Sequence, residues 1–176
     1  IVHNVGGSQK VFNYKEDSNS YNRVWYSNLG YVVEINNFFI PYMIKKKWGR
    51  IVHISSSAAY NYEAPVAYSS AKSALNTYIK SMSYFFGKYG VRINGIAPGN
   101  ILFKNSIWEK KLKNKTNETR KFLNKNIPLK KFGSTHNVAD LTTYLTSKKS
   151  EFITGSIFTI DGGQTRRIWF NMKLTK

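Results

Sequence analysis

The chain has 176 residues, which suits one domain with a sizeable core. Its 41% apolar and 15% aromatic content excludes a disordered polypeptide, and zero cysteine excludes a disulfide framework, a thiolate metal site and a cysteine nucleophile. The net charge of +18 raises the question of a polyanion partner, but the lysines are scattered and no nucleic-acid-binding motif accompanies them, so solvated surface is the expectation.

Ile1-Val2-His3 reads as the end of a strand, broken by Gly6-Gly7. A polar loop leads to a long helical pattern over Tyr21 to Lys46, with Val24, Leu29, Val32, Val33, Phe38, Phe39 and Met43 on its apolar face. Pro41 is a possible kink within it, and Gly49 is its expected stop. The β-branched run from Arg50 to Ser56 reads as a buried strand. A second long helix is expected over Val66 to Lys88, closed by Gly90. Val91 to Ile96 is the next strand, stopped by Pro98-Gly99. Residues 101–133 are basic and interrupted, and suggest short helices in a mobile flap. A helix over His136 to Thr146 and a strand over Ser156 to Ile160, closed by Asp161-Gly162-Gly163, complete the series. Strands alternating with helices make a parallel α/β fold. No apolar run approaches the ~20 residues of a membrane span, and the first residues do not read as a signal peptide, so a soluble cytoplasmic protein without membrane contact is expected. The three histidines lack metal-ligand spacing, so no metal is expected, and His53 reads as a packed core residue. Phe103, Trp108 and Trp169 either line a pocket or pack.

The chemistry concentrates between Ser55 and Lys72. Tyr68 and Lys72 are four residues apart on a predicted helix, which puts them on one face a turn apart. An ammonium beside a phenol is expected to lower the phenol pKa from its ordinary ~10. Such a tyrosine exchanges a proton with a carbonyl or alcohol oxygen near neutral pH. Ser56 follows a strand, twelve residues before Tyr68, where ligands of parallel sheets gather. Asn28 stands in mid-helix, a poor place for asparagine unless it has a role.

These residues carry a resemblance. Asn4-Val5-Gly6 resembles the Asn-Ala-Gly motif of the short-chain dehydrogenase/reductase family, and Asn28 resembles the asparagine of its fourth helix. Gly49 through Ser56, Tyr68-Ser69-Ser70-Ala71-Lys72, Val91 through Gly99, Ile153-Thr154-Gly155 and Asp161-Gly162-Gly163 resemble its later motifs in the right order. The resemblance implies a Rossmann-like, doubly wound parallel sheet in three α/β/α layers, of which residues 1–165 would form the C-terminal portion and residues 166–176 a tail. It implies an oxidoreductase that uses NAD or NADP to move a hydride between nicotinamide and a small-molecule carbonyl or secondary alcohol. Tyr68 would be the general acid/base, Lys72 would tune it and hold the nicotinamide ribose, and Ser56 would orient the substrate. Asn28 would hold a water linking Lys72 to solvent. Ser55 and Ser57 flank Ser56, and one of them could take its place; the family's Ser-to-Tyr spacing is often one residue longer, which would select Ser55. Ser56 is favoured as the second serine after the strand. Asn4, Val5 and Gly6 would pass the adenine ribose, while Pro98, Gly99 and Ile101 would line the nicotinamide.

Family members open with a strand, a glycine-rich turn and a helix that hold the cofactor pyrophosphate. No such glycine-rich turn occurs in this chain, so a fragment of a longer protein is the expectation, with weak cofactor binding by these residues alone. The strand that selects NAD or NADP is likewise missing. The family also implies a homodimer or homotetramer, built on the two long helices through residues such as Phe38, Phe39, Tyr78, Phe85 and Phe86. The competing expectation is a non-catalytic relative that acts as a binding module through its basic surface.

Overall fold

The structure, a computed structural model, describes residues 1–61 and 64–165. In chain order its elements are β1 (Val2–His3), α1 (Ser18–Trp25), a π turn (Tyr26–Gly30), α2 (Tyr31–Lys45) and β2 (Gly49–Ile54). There follow α3 (Val66–Phe86), β3 (Val91–Pro98), β4 (Ile101–Leu102), α4 (Ile107–Asn114), α5 (Thr116–Asn126), β5 (Gly133–Ser134), α6 (Thr135–Thr146) and β6 (Ile157–Ile160), with short 3₁₀ turns between.

β1, β2, β3 and β6 form one parallel sheet in that order. Ile51 and Ile93 face Val32 and Ile40 of α2 and Leu75 and Ile79 of α3. Val52 and Ile96 lie in a second cluster, closed by Leu145 of α6 with Val138 and Leu141 around it. Burial on both faces is why these strands read as continuous β-branched runs. The two long helices share one face of the sheet, as expected, and α6 covers the other.

The boundaries depart from the sequence reading where caps and turns decide them. α1 starts at Ser18, three residues early, because the Ser20 N–H donates to the Asp17 carboxylate at 2.7 Å. The long helical pattern is two helices joined by the π turn, and Pro41 lies inside α2 without ending it. Gly49, the expected helix stop, opens β2; α2 stops at Lys45, and Lys47 turns the chain in the left-handed region. α3 ends at Phe86, before a 3₁₀ turn over Gly87–Tyr89. Gly90 reverses the chain at φ 80°, where a Cβ would strike the Lys47 carbonyl.

Residues 101–133 contain the expected short helices, α4 and α5. Unexpected is the pairing of β4 with β5, Ile101 opposite Gly133 and Leu102 opposite Ser134, which closes the flap at its base. Two-residue strands carry no period to read. The tail of residues 166–176, with Trp169, lies outside the described residues. No helix among the described residues is long and apolar enough to cross a membrane, and no cluster of metal-ligating side chains occurs among them.

Candidate active site

The π turn places Asn28. A π turn inserts an extra residue into a helix and is frequent at functional sites. It carries the Asn28 side chain into the interior, where it is 1% exposed. The amide Nδ2 donates to the Gly7 carbonyl at 2.8 Å and the Val24 carbonyl at 2.7 Å, and the Gly7 N–H donates to Oδ1 at 3.0 Å. This two-way clamp fixes the turn after β1. Gly6 sits in that turn at φ 151°, and a Cβ on it would lie 2.5 Å from Asn28 Oδ1 and 3.2 Å from Lys72 Nζ. Only glycine lets the backbone pass so close to both groups.

The end of β2 meets α3 in register. Lys72 Nζ donates to the Ile54 carbonyl at 2.8 Å and is buried. Ser56 lies beside the Tyr68 hydroxyl and favours its ionised form, and the Ser56 Oγ accepts from the Ala58 N–H at 3.1 Å. Ser55 is turned away: its Oγ donates to Asn76 Oδ1 at 2.6 Å in the core. The hydroxyl presented to Tyr68 is therefore that of Ser56. Asn28, Ser56, Tyr68 and Lys72 converge beyond the carboxyl end of the sheet, where parallel α/β folds bind ligands.

The electrostatics differ from the sequence expectation. Burial raises the Tyr68 phenol above its ordinary pKa, and the neighbouring Ser56 opposes this only in part. Burial outweighs the influence of Lys72, whose Nζ sits 5.8 Å from the centroid of the Tyr68 ring and is directed to the Ile54 carbonyl. Burial instead lowers Lys72 itself to about 8. Desolvation, which spacing does not reveal, outweighs the charge pairing that spacing suggests.

Two spaces open at this edge. A cavity of about 260 Å³ is lined by Ser56, Asn61, Gly99, Asn100, Trp108 and Phe122, among others. Its aromatic wall is the stack of Trp108 on Phe122, with ring centroids 4.9 Å apart. Asn100 Nδ2 donates to Gln164 Oε1 at 2.9 Å beside it. A cleft of about 640 Å³ is lined by Asn4, Ile54, Pro98, Ile101 and Phe103, among others. Asn4, Pro98 and Ile101, picked from the sequence, thus share one wall, and Gly99 lies on the first cavity. Val5 is exposed beside them. Trp108 lines a cavity and Phe103 the cleft, while Trp169 falls outside the described residues. His53 is packed as expected, stacked on His3 with centroids 4.7 Å apart. Asn76 was not picked out from the sequence, although a polar residue among Ala71, Leu75 and Ile79 on the stripe of Tyr68 and Lys72 is a legible signal.

A family model described as enoyl-(acyl carrier protein) reductase matches residues 1–165. The chain is 34% identical over 164 residues to the 3-oxoacyl-[acyl-carrier-protein] reductase of Buchnera aphidicola, covering 93% of this chain and 65% of that protein. The chain belongs to the short-chain dehydrogenase/reductase family. A further member, the 7alpha-hydroxysteroid dehydrogenase of Paraclostridium sordellii, is 30% identical over 149 residues, 84% of this chain and 54% of that protein. Among solved members, a 7 alpha-hydroxysteroid dehydrogenase complexed with NADH and 7-oxo glycochenodeoxycholic acid superposes with a TM-score of 0.82 at 26% identity, over 94% of this chain and 63% of that one. A 3-oxoacyl-[acyl-carrier protein] reductase from Brucella melitensis with bound NAD gives a TM-score of 0.79 at 27% identity, over 94% and 62%. The chain spans between about half and two thirds of the length of these relatives.

Proposed function

We propose that the protein is an NAD(P)-dependent oxidoreductase that interconverts a small-molecule carbonyl and a secondary alcohol, with Tyr68 as general acid/base. The observation that carries this reading is the grouping of Ser56, Tyr68, Lys72 and Asn28 at the end of β2, with Lys72 and Asn28 fixed by hydrogen bonds to the backbone, beside two adjoining spaces. A binding module acting through surface charge has no need of it. In the reductive direction the carbonyl oxygen would accept hydrogen bonds from the Ser56 and Tyr68 hydroxyls. Burial keeps the Tyr68 phenol protonated at neutral pH, so it has a proton to give as negative charge develops on that oxygen. Lys72, lowered to about 8, gains and loses a proton close to neutrality and suits the replenishing of Tyr68.

The chain's residues fit a nicotinamide cofactor. The cleft lies between the Asn4 turn and the Pro98 turn, and the absent Cβ of Gly6 leaves room beside Lys72 Nζ. Asn4, Val5, Gly6, Tyr68 and Lys72 would hold the ribose side, and Pro98, Gly99 and Ile101 the nicotinamide side, of NAD or NADP. When bound, that group supplies the hydride. A nicotinamide pool belongs to the cell interior, which assigns the reaction to the cytoplasm.

The substrate enters opposite Ser56, against Trp108 and Phe122. α2 exposes Ile35, Phe38, Phe39 and Tyr42 on one stripe, and α3 exposes Phe85. Apolar stripes of this kind mark interfaces, and we assign this one to a homodimer or homotetramer. Tyr78 and Phe86 are half-buried beside it: Tyr78 accepts from Asn36 Nδ2 at 3.2 Å, and both pack against the core. Gel filtration of the natural polypeptide should give a dimer or larger, and a monomer at micromolar concentration contradicts this assignment.

The test of the reaction uses the full natural polypeptide that carries these residues. NADH and NADPH are each offered with a panel of ketones, and the oxidised cofactors with secondary alcohols. Change in nicotinamide absorbance with at least one pair is expected. No turnover with any pair overturns the reading.

A further inference from the structure

We propose that Asn76 is a positioning residue of this site, and that it acts by withdrawing the Ser55 hydroxyl so that Ser56 rather than Ser55 faces the substrate. The inference rests on the functional reading above. Three serines follow β2; Ser57 opens the 3₁₀ turn beyond and also lines the cavity, and the two before it, Ser55 and Ser56, carry the same nucleophilic and hydrogen-bonding group. Their side chains leave opposite sides of an extended backbone. Ser56 lines the cavity and stands beside Tyr68. Ser55 is 4% exposed; its N–H donates to the Ile96 carbonyl at 2.7 Å and its Oγ to Asn76 Oδ1 at 2.6 Å.

The placement of Asn76 is systematic. It lies four residues beyond Lys72 and eight beyond Tyr68, on one stripe of α3. Three successive positions of that stripe meet three groups at the end of β2: Tyr68 stands beside Ser56, Lys72 binds the Ile54 carbonyl, and Asn76 binds Ser55. A slip of β2 against α3 would disrupt all three together.

The second observation is the other half of the amide. Asn76 is 9% exposed, and its Nδ2 has no hydrogen-bond partner among the described residues. A buried donor without a partner is costly, and an apolar side chain would fill the same space without that cost. Packing alone therefore does not explain an asparagine among Ala71, Leu75 and Ile79. Its acceptor oxygen, directed to Ser55, does.

The test is a cycle in the full natural polypeptide: Asn76→Leu, Ser55→Ala and the pair, with Asn76→Ala as the smaller replacement should the leucine variant not fold. Freed of its acceptor, Ser55 disturbs the Ser56–Tyr68 geometry, so kcat should fall about tenfold while the cofactor KM stays within about twofold. Ser55→Ala alone should keep kcat within about twofold, and in that background the Asn76 change should have no further effect on kcat. Thermal melts of the same four proteins report the Ser55–Asn76 bond independently of turnover. Unchanged kcat in Asn76→Leu, or an equal loss with and without Ser55, overturns the proposal while Tyr68→Phe still tests the functional reading. No turnover in the unsubstituted protein overturns that reading and the positioning role with it, and a coupling in the melts would then mark a purely structural bond.

Discussion

The end of β2 and the flap of residues 101–133 face each other across one cavity, and they are built by different physics. On the β2 side, Asn28, Ser55 and Lys72 are nearly or wholly buried, and each is tied by hydrogen bonds of 2.6–3.0 Å. On the flap side, beyond the β4–β5 pairing and the hydrogen bonds of buried Ser106 and Thr119, the ties are aromatic contacts, Trp108 on Phe122 and on Phe132, and two surface ion pairs, Lys113–Glu109 and Lys115–Glu118. Exposed pairs of this sort contribute little. Buried polar networks have one arrangement, because any other leaves a group unsatisfied. Aromatic walls tolerate repacking. The first region suits chemistry that needs fixed atoms, and the second suits selection of what enters.

Breaking the buried side should have the largest effect. Lys72→Met should lower kcat by roughly 10²–10⁴, the range for loss of an assisted proton transfer. The same change should stabilise the fold. The ammonium is held at about 8 by burial, and the difference from an ordinary lysine corresponds to roughly 3 kcal/mol of destabilisation. Loss of the bond to the Ile54 carbonyl offsets about 1 kcal/mol of that gain. Below pH 8 Lys72 is charged in both folded and unfolded states, and the full penalty applies. As pH rises from about 8 towards 10.5, the folded protein releases the proton first and the penalty fades. Melting temperatures should show the variant ahead by the widest margin below pH 8, narrowing above it. A variant melting below the unsubstituted protein at pH 7 contradicts the burial argument.

Gly6→Ala tests the same side through the backbone. Its Cβ would press on Asn28 Oδ1 and Lys72 Nζ at a positive φ. A cost of roughly 1–3 kcal/mol is expected, read as a lower melting temperature together with a raised cofactor KM. An unchanged melt shows that the turn has slack.

The flap should yield the smallest effect. Trp108→Ala should raise the KM for the carbonyl substrate by roughly tenfold or less, and leave kcat within about threefold. A kcat loss as large as that of Lys72→Met would erase the distinction between the two regions.

Much of the buried side was legible in the sequence. The Tyr68–Lys72 spacing, the misplaced Asn28 and the serines after a β-branched run mark it, because helix periodicity and strand ends are local properties. Less was legible where distance in the chain decides. The phenol of Tyr68 is governed by desolvation, which no spacing encodes. The partner of Ser55 lies 21 residues away and becomes evident only once α3 is laid against β2. Tyr78 reads as one of several outward aromatics, but Asn36 from another helix draws it into the core. The pairing of β4 with β5 joins segments 32 residues apart through two residues each.

The central claim is that Tyr68 carries the proton of the reaction. The direct measurement is the rate of nicotinamide oxidation by the full natural polypeptide with its best carbonyl substrate, unsubstituted and with Tyr68→Phe, at saturating cofactor. Removing the hydroxyl keeps the ring that packs against Ala71 and Val24, so the fold should melt as before while kcat falls by roughly 10²–10⁴. A folded Tyr68→Phe protein with full activity would contradict the account.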